Sequence, residues 1–348
     1  MRTVLLAGGV VSILGSIASL TMLGSILSAA GVDGINTPAV ALTQPPPEGW
    51  PVFWYKGVIT NKTTSIFNPT NEFIFPSVFH AGRWLQDPLA EWYIYYAPHD
   101  DPGGISLRYA DSLEGPWTEY PSNPVISRVW DDHYSVPHVS SPDAVWDADA
   151  DDGKGAMRMY FHGSNSVTRW ALSPDGVSFT YGGVAVENSM GGPAVTESSY
   201  ARVFRHPDTA SKYRWAMFYM GNERDNVRRI RLAESADGEV WTVSPDYVLA
   251  PGPEEGGNVS GGSLWRWRGV NYIIYHASSG KIYARTIDRT LREVGELPIV
   301  LYEGRGDKSG DRVASPVVVE EDGSTYLFYE KGSRLKATIA WAKMAAQK

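Results

Sequence analysis

A module of short strands recurs along this chain, and that recurrence limits the fold more than any other feature. Its clearest copy runs from Thr196 to Trp241. An opening run, Tyr200–Phe204, passes through the polar turn His206-Pro207-Asp208 into an apolar run, Tyr213–Tyr219. The polar cluster Gly221-Asn222-Glu223-Arg224-Asp225 separates that run from the alternating Arg229–Ala233, and Ser235–Trp241 closes the unit. Short apolar or alternating runs bounded by Gly, Pro, Asp and Asn read as β-strands.

The apolar run returns as Trp92–Tyr96, Met157–Phe161, Tyr272–Tyr275 and Tyr326–Tyr329. The opening run returns as Pro76–Phe79, Pro142–Trp146, Ser263–Trp267 and Pro316–Val319. Five copies spaced by about 55–65 residues exceed the ~40–50 of common propeller repeats. They predict an all-β, five-bladed β-propeller with four-stranded antiparallel blades around a central funnel. The expected blades are Asn71–Trp117, Ser140–Phe179, Glu197–Trp241, Gly261–Ile287 and Ser315–Trp341. Trp50–Thr60 either adds a strand to the last blade and closes the ring, or packs outside it.

Arg2 is the only charge before Asp33, and the stretch between is rich in Leu, Ile, Val, Ala, Gly and Ser. A basic start followed by an apolar run is the pattern of an export signal. It is also long enough to span a bilayer, which needs about 20 residues. Residues 1–30 are therefore expected to be a signal peptide or an anchor, 31–49 a linker and 50–348 the propeller. The protein would be secreted or periplasmic, or else held at a membrane by that segment alone. A net charge of −8 argues against nucleic-acid partners. With no cysteine in 348 residues, disulfides and thiolate metal sites are excluded.

In a propeller the innermost strand starts at the face to which the second strand returns, so strand-one starts and strand-two ends share one mouth. The starts offer Glu72, Ser141, Asp143, Glu197, Asn258, Ser260, Asp311, Arg312 and Ser315. The ends offer His99-Asp100-Asp101, His162, Asn222-Glu223-Arg224-Asp225, His276 and Glu330-Lys331. Five of seven histidines, His99, His133, His138, His162 and His276, fall at or just before this mouth, whereas His80 and His206 fall at the far face. Imidazole there can move protons or hydrogen-bond sugar hydroxyls. Their spacing gives no HExxH-like zinc pair. Arg224, Arg312 and Lys331 are placed either to anchor a carboxylated or sulfated sugar or to bridge a mouth carboxylate.

Ser140-Ser141-Pro142-Asp143-Ala144-Val145, the Tyr-Ile-Tyr-Tyr run and Asp111–Trp117 resemble five-bladed glycosidases of glycoside hydrolase families 43, 32 and 117. The resemblance spans most of residues 71–342. It implies hydrolysis of a glycosidic bond by paired carboxylates. It makes Glu197 the general acid and Asp143 the substrate-orienting or acid-tuning carboxylate; Asp143 also suits a turn-capping role. The family's first inner strand carries Asp-Pro, where this chain has Phe75-Pro76. Glu72 or Asp101 would then supply the base, with His99, His138, His162, Glu223, Arg224, His276, Arg312 and Glu330 as substrate-binding candidates. The expected partner is a carbohydrate, with no cofactor beyond an optional structural calcium ion. Two other readings stand beside this one. The first is a propeller lyase, isomerase or cyclase that uses the mouth histidines. The second is a sugar-binding propeller without turnover.

Overall fold

A computed structural model describes residues 42–308 and 310–345. The basic start and apolar run of residues 2–31, and with them the signal or anchor, lie outside the described residues. The propeller itself is five four-stranded antiparallel sheets. Blade 1 is Ile74–His80, Trp92–Ala97, Ser106–Ala110 and Thr118–Glu119, from the inside outward. Blade 2 is Val139–Asp147, Ala156–Gly163, Val167–Ser173 and Thr180–Glu187. Blade 3 is Val195–Arg205, Trp215–Glu223, Arg228–Ser235 and Trp241–Leu249. Blade 4 is Val259–Trp267, Val270–Ala277, Ile282–Thr286 and Ile299–Tyr302.

Blade 5 takes three strands from the C-terminal end, Val313–Glu321, Ser324–Lys331 and Thr338–Met344, and its outer strand from Phe53–Val58. Phe53 faces Met344 and Val58 faces Ala340 in that pairing. The segment Trp50–Thr60 therefore closes the ring. Phe53 is buried with Tyr272, Leu327 and Ala342, so the closing strand is anchored by apolar packing as well as by its ladder.

All five inner strands carry the same irregularity. Pairing with the second strand slips between Ile74 and Ser77, Ser140 and Asp143, Ser199 and Arg202, Ser260 and Ser263, and Ala314 and Val317. Within each slip one residue adopts a positive φ: Phe75, Ser141, Tyr200, Gly261 and Ser315, all between 51° and 62°. Only the fourth is glycine, so the other four accept a left-handed backbone that ordinary side chains disfavour. The bulge bends the strand and fixes a common repeat position at the mouth of every blade.

Neighbouring blades are tied by bonds that repeat with this register. Ser77 Oγ, two residues past the blade 1 bulge, accepts the Ala144 amide of blade 2 at 2.9 Å. Asp143, at the matching position of blade 2, accepts the Val203 amide of blade 3 at 2.6 Å through Oδ2. At the far face Tyr95 donates to the Gly176 carbonyl at 2.6 Å and Tyr160 to the Gly238 carbonyl at 2.7 Å. Those glycines sit in Ser-x-Asp-Gly turns, where the Asp175 and Asp237 carboxylates accept the two following amides.

The repeat-derived blade limits fall short on the outer side. Each expected blade 2 to 4 range stops at or before its outer strand, which runs on to Glu187, Leu249 and Tyr302 respectively. These strands face solvent along most of one side and carry residues such as Pro245, so the hydrophobic pattern fades there.

Candidate functional site

Two rings of side chains define the mouth. The bulge positions give Phe75, Ser141, Tyr200, Gly261 and Ser315. Their register partners one step before the slip give Ala97, His162, Met220, His276 and Glu330. No bulge position carries a carboxylate. Phe75 and Tyr200 instead meet across the axis with ring centroids 4.3 Å apart. They pack with Ile74, Met220 and Ala337, so an apolar plug lies across the axis. Beneath it the Arg202 guanidinium lies 5.4 Å from the Phe75 ring and donates to the carbonyls of Pro76 and Pro142 and to Asp143.

Above the plug the polar groups converge on Tyr200. His99 Nε2 lies 3.2 Å from its hydroxyl, and the His162 ring packs edge-on against its ring at 5.4 Å. Burial raises the Tyr200 phenol above its usual range; Arg228, Glu197, Glu330 and Arg334 all act on it electrostatically. Glu197 from blade 3 and Glu330 from blade 5 thus both act electrostatically on the same phenol. Glu330 is buried, accepting Arg312 at 2.6 Å on Oε1 and the Ser315 hydroxyl at 2.9 Å on Oε2. Glu197 is less enclosed and faces Arg228 at 3.6 Å.

A pocket of about 310 Å³ opens beside this cluster between blades 3, 4 and 5, lined by Arg228, Arg312, Arg334, His276, Asn258 and Ser260 among others. His276 Nδ1 accepts the Ser315 amide at 3.2 Å, which leaves the ring proton on Nε2. Burial, then the charges of Arg312, Arg228 and Arg202, hold this imidazole well below its usual pKa. His162 is lowered likewise, first by burial and then by His138 and His99. Both histidines are thus neutral at physiological pH and act as hydrogen-bonding groups rather than as a charged pair.

The sequence-derived candidates separate in space. Glu197, Glu330, Arg312, His276, His162 and His99 gather around Tyr200 and the pocket. His138 bonds Asn165 at 3.1 Å, next to His162. Glu72 is buried and accepts the His99 amide at 3.2 Å; burial, then nearby Glu330, raises its pKa. Asp143 spends both oxygens on Arg202 and Val203 beneath the plug. Asp101 is exposed and, among the described residues, pairs with Arg128 at 4.0 Å. Glu223 is taken by Arg229 and Arg231 at 3.1 and 2.8 Å, Arg224 is exposed beyond that network, and Lys331 is held by Asp307 and Asp311. His133 stacks on Tyr181 of the blade 2 outer strand at 4.5 Å, away from the axis. Arg228, Arg334 and Tyr200 were not singled out from the sequence.

No protein-family model and no curated protein matches the sequence. Solved structures do match its fold. A glycoside hydrolase superposes with a TM-score of 0.59 at 14% identity, over 86% of this chain and 94% of that one. An alpha-L-arabinofuranosidase from Lactobacillus brevis gives 0.57 at 16% identity, over 81% and 93%. An exo-1,5-alpha-L-arabinanase from a bovine ruminal metagenomic library gives 0.51 at 12% identity, over 82% and 97%. The chain is a five-bladed propeller of the architecture found in these glycosidases.

Proposed function

We propose that the protein is a glycoside hydrolase working at the propeller mouth, with Glu197 and Glu330 as its carboxylate pair. The observation that supports this reading is that two arginines lining the polar pocket, Arg228 and Arg312, face Glu197 at 3.6 Å and Glu330 at 2.6 Å. Glu330, bonded on both oxygens to Arg312 and Ser315, suits the ionised partner that activates water or attacks the sugar carbon. Glu197, with a looser arginine contact, suits the proton donor to the departing glycosidic oxygen. The C–O bond breaks as that proton arrives, and water supplies the new hydroxyl. Neutral His276, through Nε2–H, would hold a sugar hydroxyl. Export belongs to the same proposal, supported by Arg2 ahead of the apolar run.

A second reading, sugar binding without turnover, is favoured by one feature: none of the five equivalent bulge positions bears a carboxylate. The test is a panel of aryl-glycosides and polysaccharides, read as new reducing ends, with Glu197→Gln and Glu330→Gln alongside. Removal of an acid or base is expected to cost about 10²–10⁴ in rate. Turnover retained in both variants would reject this pair. Saturable binding with no turnover on any substrate would transfer the assignment to the binding reading.

A further inference from the structure

The pocket between blades 3, 4 and 5 is basic in a chain that is acidic overall. The chain carries a net charge of −8. The pocket lining nevertheless holds Arg228, Arg312 and Arg334 and no acidic side chain. Two of these arginines have carboxylate partners, Glu197 at 3.6 Å and Glu330 at 2.6 Å. Arg334 has no ion-pair partner among the described residues and is exposed. Counting the three arginines and the two carboxylates leaves one positive charge facing the cavity.

The neutral lining groups point the same way. His276 is buried, and its Nδ1 is used by the Ser315 amide, so its Nε2–H is a donor toward the cavity that lines up with the arginines rather than opposing them. Asn258 uses its Oδ1 to accept the Arg228 amide at 2.8 Å, which leaves its NH₂ as the free end. Ser260, which pairs with His276 across the ladder, adds a hydroxyl. A cavity that offers guanidinium forks, an imidazole N–H and an amide NH₂ is complementary to an anionic oxygen group, because a guanidinium meets such a group with two parallel hydrogen bonds.

We infer that this pocket selects a sugar bearing an anionic oxygen group, a uronate carboxylate or a sulfate ester, and that Arg334 is its specificity residue. The inference rests on the proposed carbohydrate function for the site but not on turnover. Arg312 and Arg228 are already engaged by the carboxylate pair and orient it. Arg334 is left to meet the charge on the substrate, which places the scissile bond next to Glu197 and Glu330.

The test is a binding titration of the purified protein, read by calorimetry at low and high salt. The probes are trigalacturonate against its fully methyl-esterified form, and glucose 6-sulfate against glucose and against inorganic sulfate. At least one anionic sugar should bind about tenfold or more tightly than its neutral counterpart, in line with one charge-assisted hydrogen-bonded contact. Added salt should narrow that gap, and Arg334→Gln should abolish it. The uronate and sulfate arms decide which anion is preferred. Equal affinity for charged and neutral sugars, an Arg334→Gln protein that keeps the preference, inorganic sulfate bound as tightly as the sulfated sugar, or no binding of any probe would each overturn the inference. Failure of the hydrolase reading would show separately, as anion-selective binding without new reducing ends.

Discussion

Replacing Asp143 with asparagine separates a structural role from a catalytic one. The side chain is 11% exposed and its partner Arg202 is 3% exposed, so the pair lies in a low-dielectric environment. Asp143 takes Arg202 Nη1 at 3.1 Å and the Val203 amide at 2.6 Å. Arg202 also reaches the Pro76 and Pro142 carbonyls at 2.9 and 3.0 Å, so one guanidinium ties blades 1, 2 and 3 together. Asparagine keeps the shape and one acceptor but leaves the guanidinium without a counter-charge. Removing one partner of a buried pair costs ~3–5 kcal/mol. With the Val203 bond retained, the lower end is expected, about 3 kcal/mol. At a urea slope of roughly 3 kcal/mol/M, that moves the unfolding midpoint down by about 1 M. The double variant Asp143→Leu with Arg202→Met should recover most of the loss, since an apolar pair of similar volume commonly replaces an ion pair at little cost. An Asp143→Asn protein that unfolds within about 0.5 kcal/mol of the parent yet loses the proposed hydrolase activity would refute this reasoning and return Asp143 to the substrate.

Stability should also fall on the acid side through the mouth histidines. Both His162 and His276 have folded-state pKa values below the ordinary value of about 6.5, so the unfolded chain binds more protons than the folded one once the pH drops below that value. Stability then rises with pH, and below pH ~6.5 each histidine costs up to about 1.4 kcal/mol per pH unit until its folded pKa is reached. Urea midpoints at pH 7.5, 6 and 5 check this, and His276→Gln should flatten the profile. Separately, Phe53→Ala should cost ~3–5 kcal/mol, because it empties a fully buried site in the strand that closes the ring. A thermal or urea midpoint unchanged by that substitution would mean that the closing strand contributes little.

The fold was legible because its second strands are apolar on both faces: Trp92–Ala97, Ala156–Gly163 and Tyr272–Ala277 are buried along almost their whole length, and such runs stand out wherever they recur. The outer strands were not, because exposure on one side dilutes the pattern with polar residues. At the site, His162, His276 and Glu330 were legible for a geometric reason: each ends a second strand at one shared register position. Tyr200 escaped notice because it lies inside an opening run that reads as plain strand. The signal was present in the alignment of the repeats, which sets Tyr200-Ala201 beside Phe75-Pro76, Ser141-Pro142 and Ser315-Pro316. Arg228 and Arg334 come from a third-strand start and a loop, positions that an argument from strand-one starts and strand-two ends leaves out.

The same repeat register explains why Asp143 misleads. It occupies the position of Ser77 in blade 1, and both accept the amide one repeat step ahead in the next blade. A carboxylate there is a stronger version of a clamp the fold already uses, drawn toward charge because Arg202 stands in the next blade at the equivalent place. The apolar pair Phe75 and Tyr200 then closes the axis above it. Off the axis, toward blades 3, 4 and 5, lies a cavity where Arg228, Arg312 and Arg334 gather, two of them facing Glu197 and Glu330. In the proposed reaction the substrate would approach from the arginine side. On that side, under the proposed function, the charge of the substrate and the placement of its scissile bond would be controlled by the same few residues.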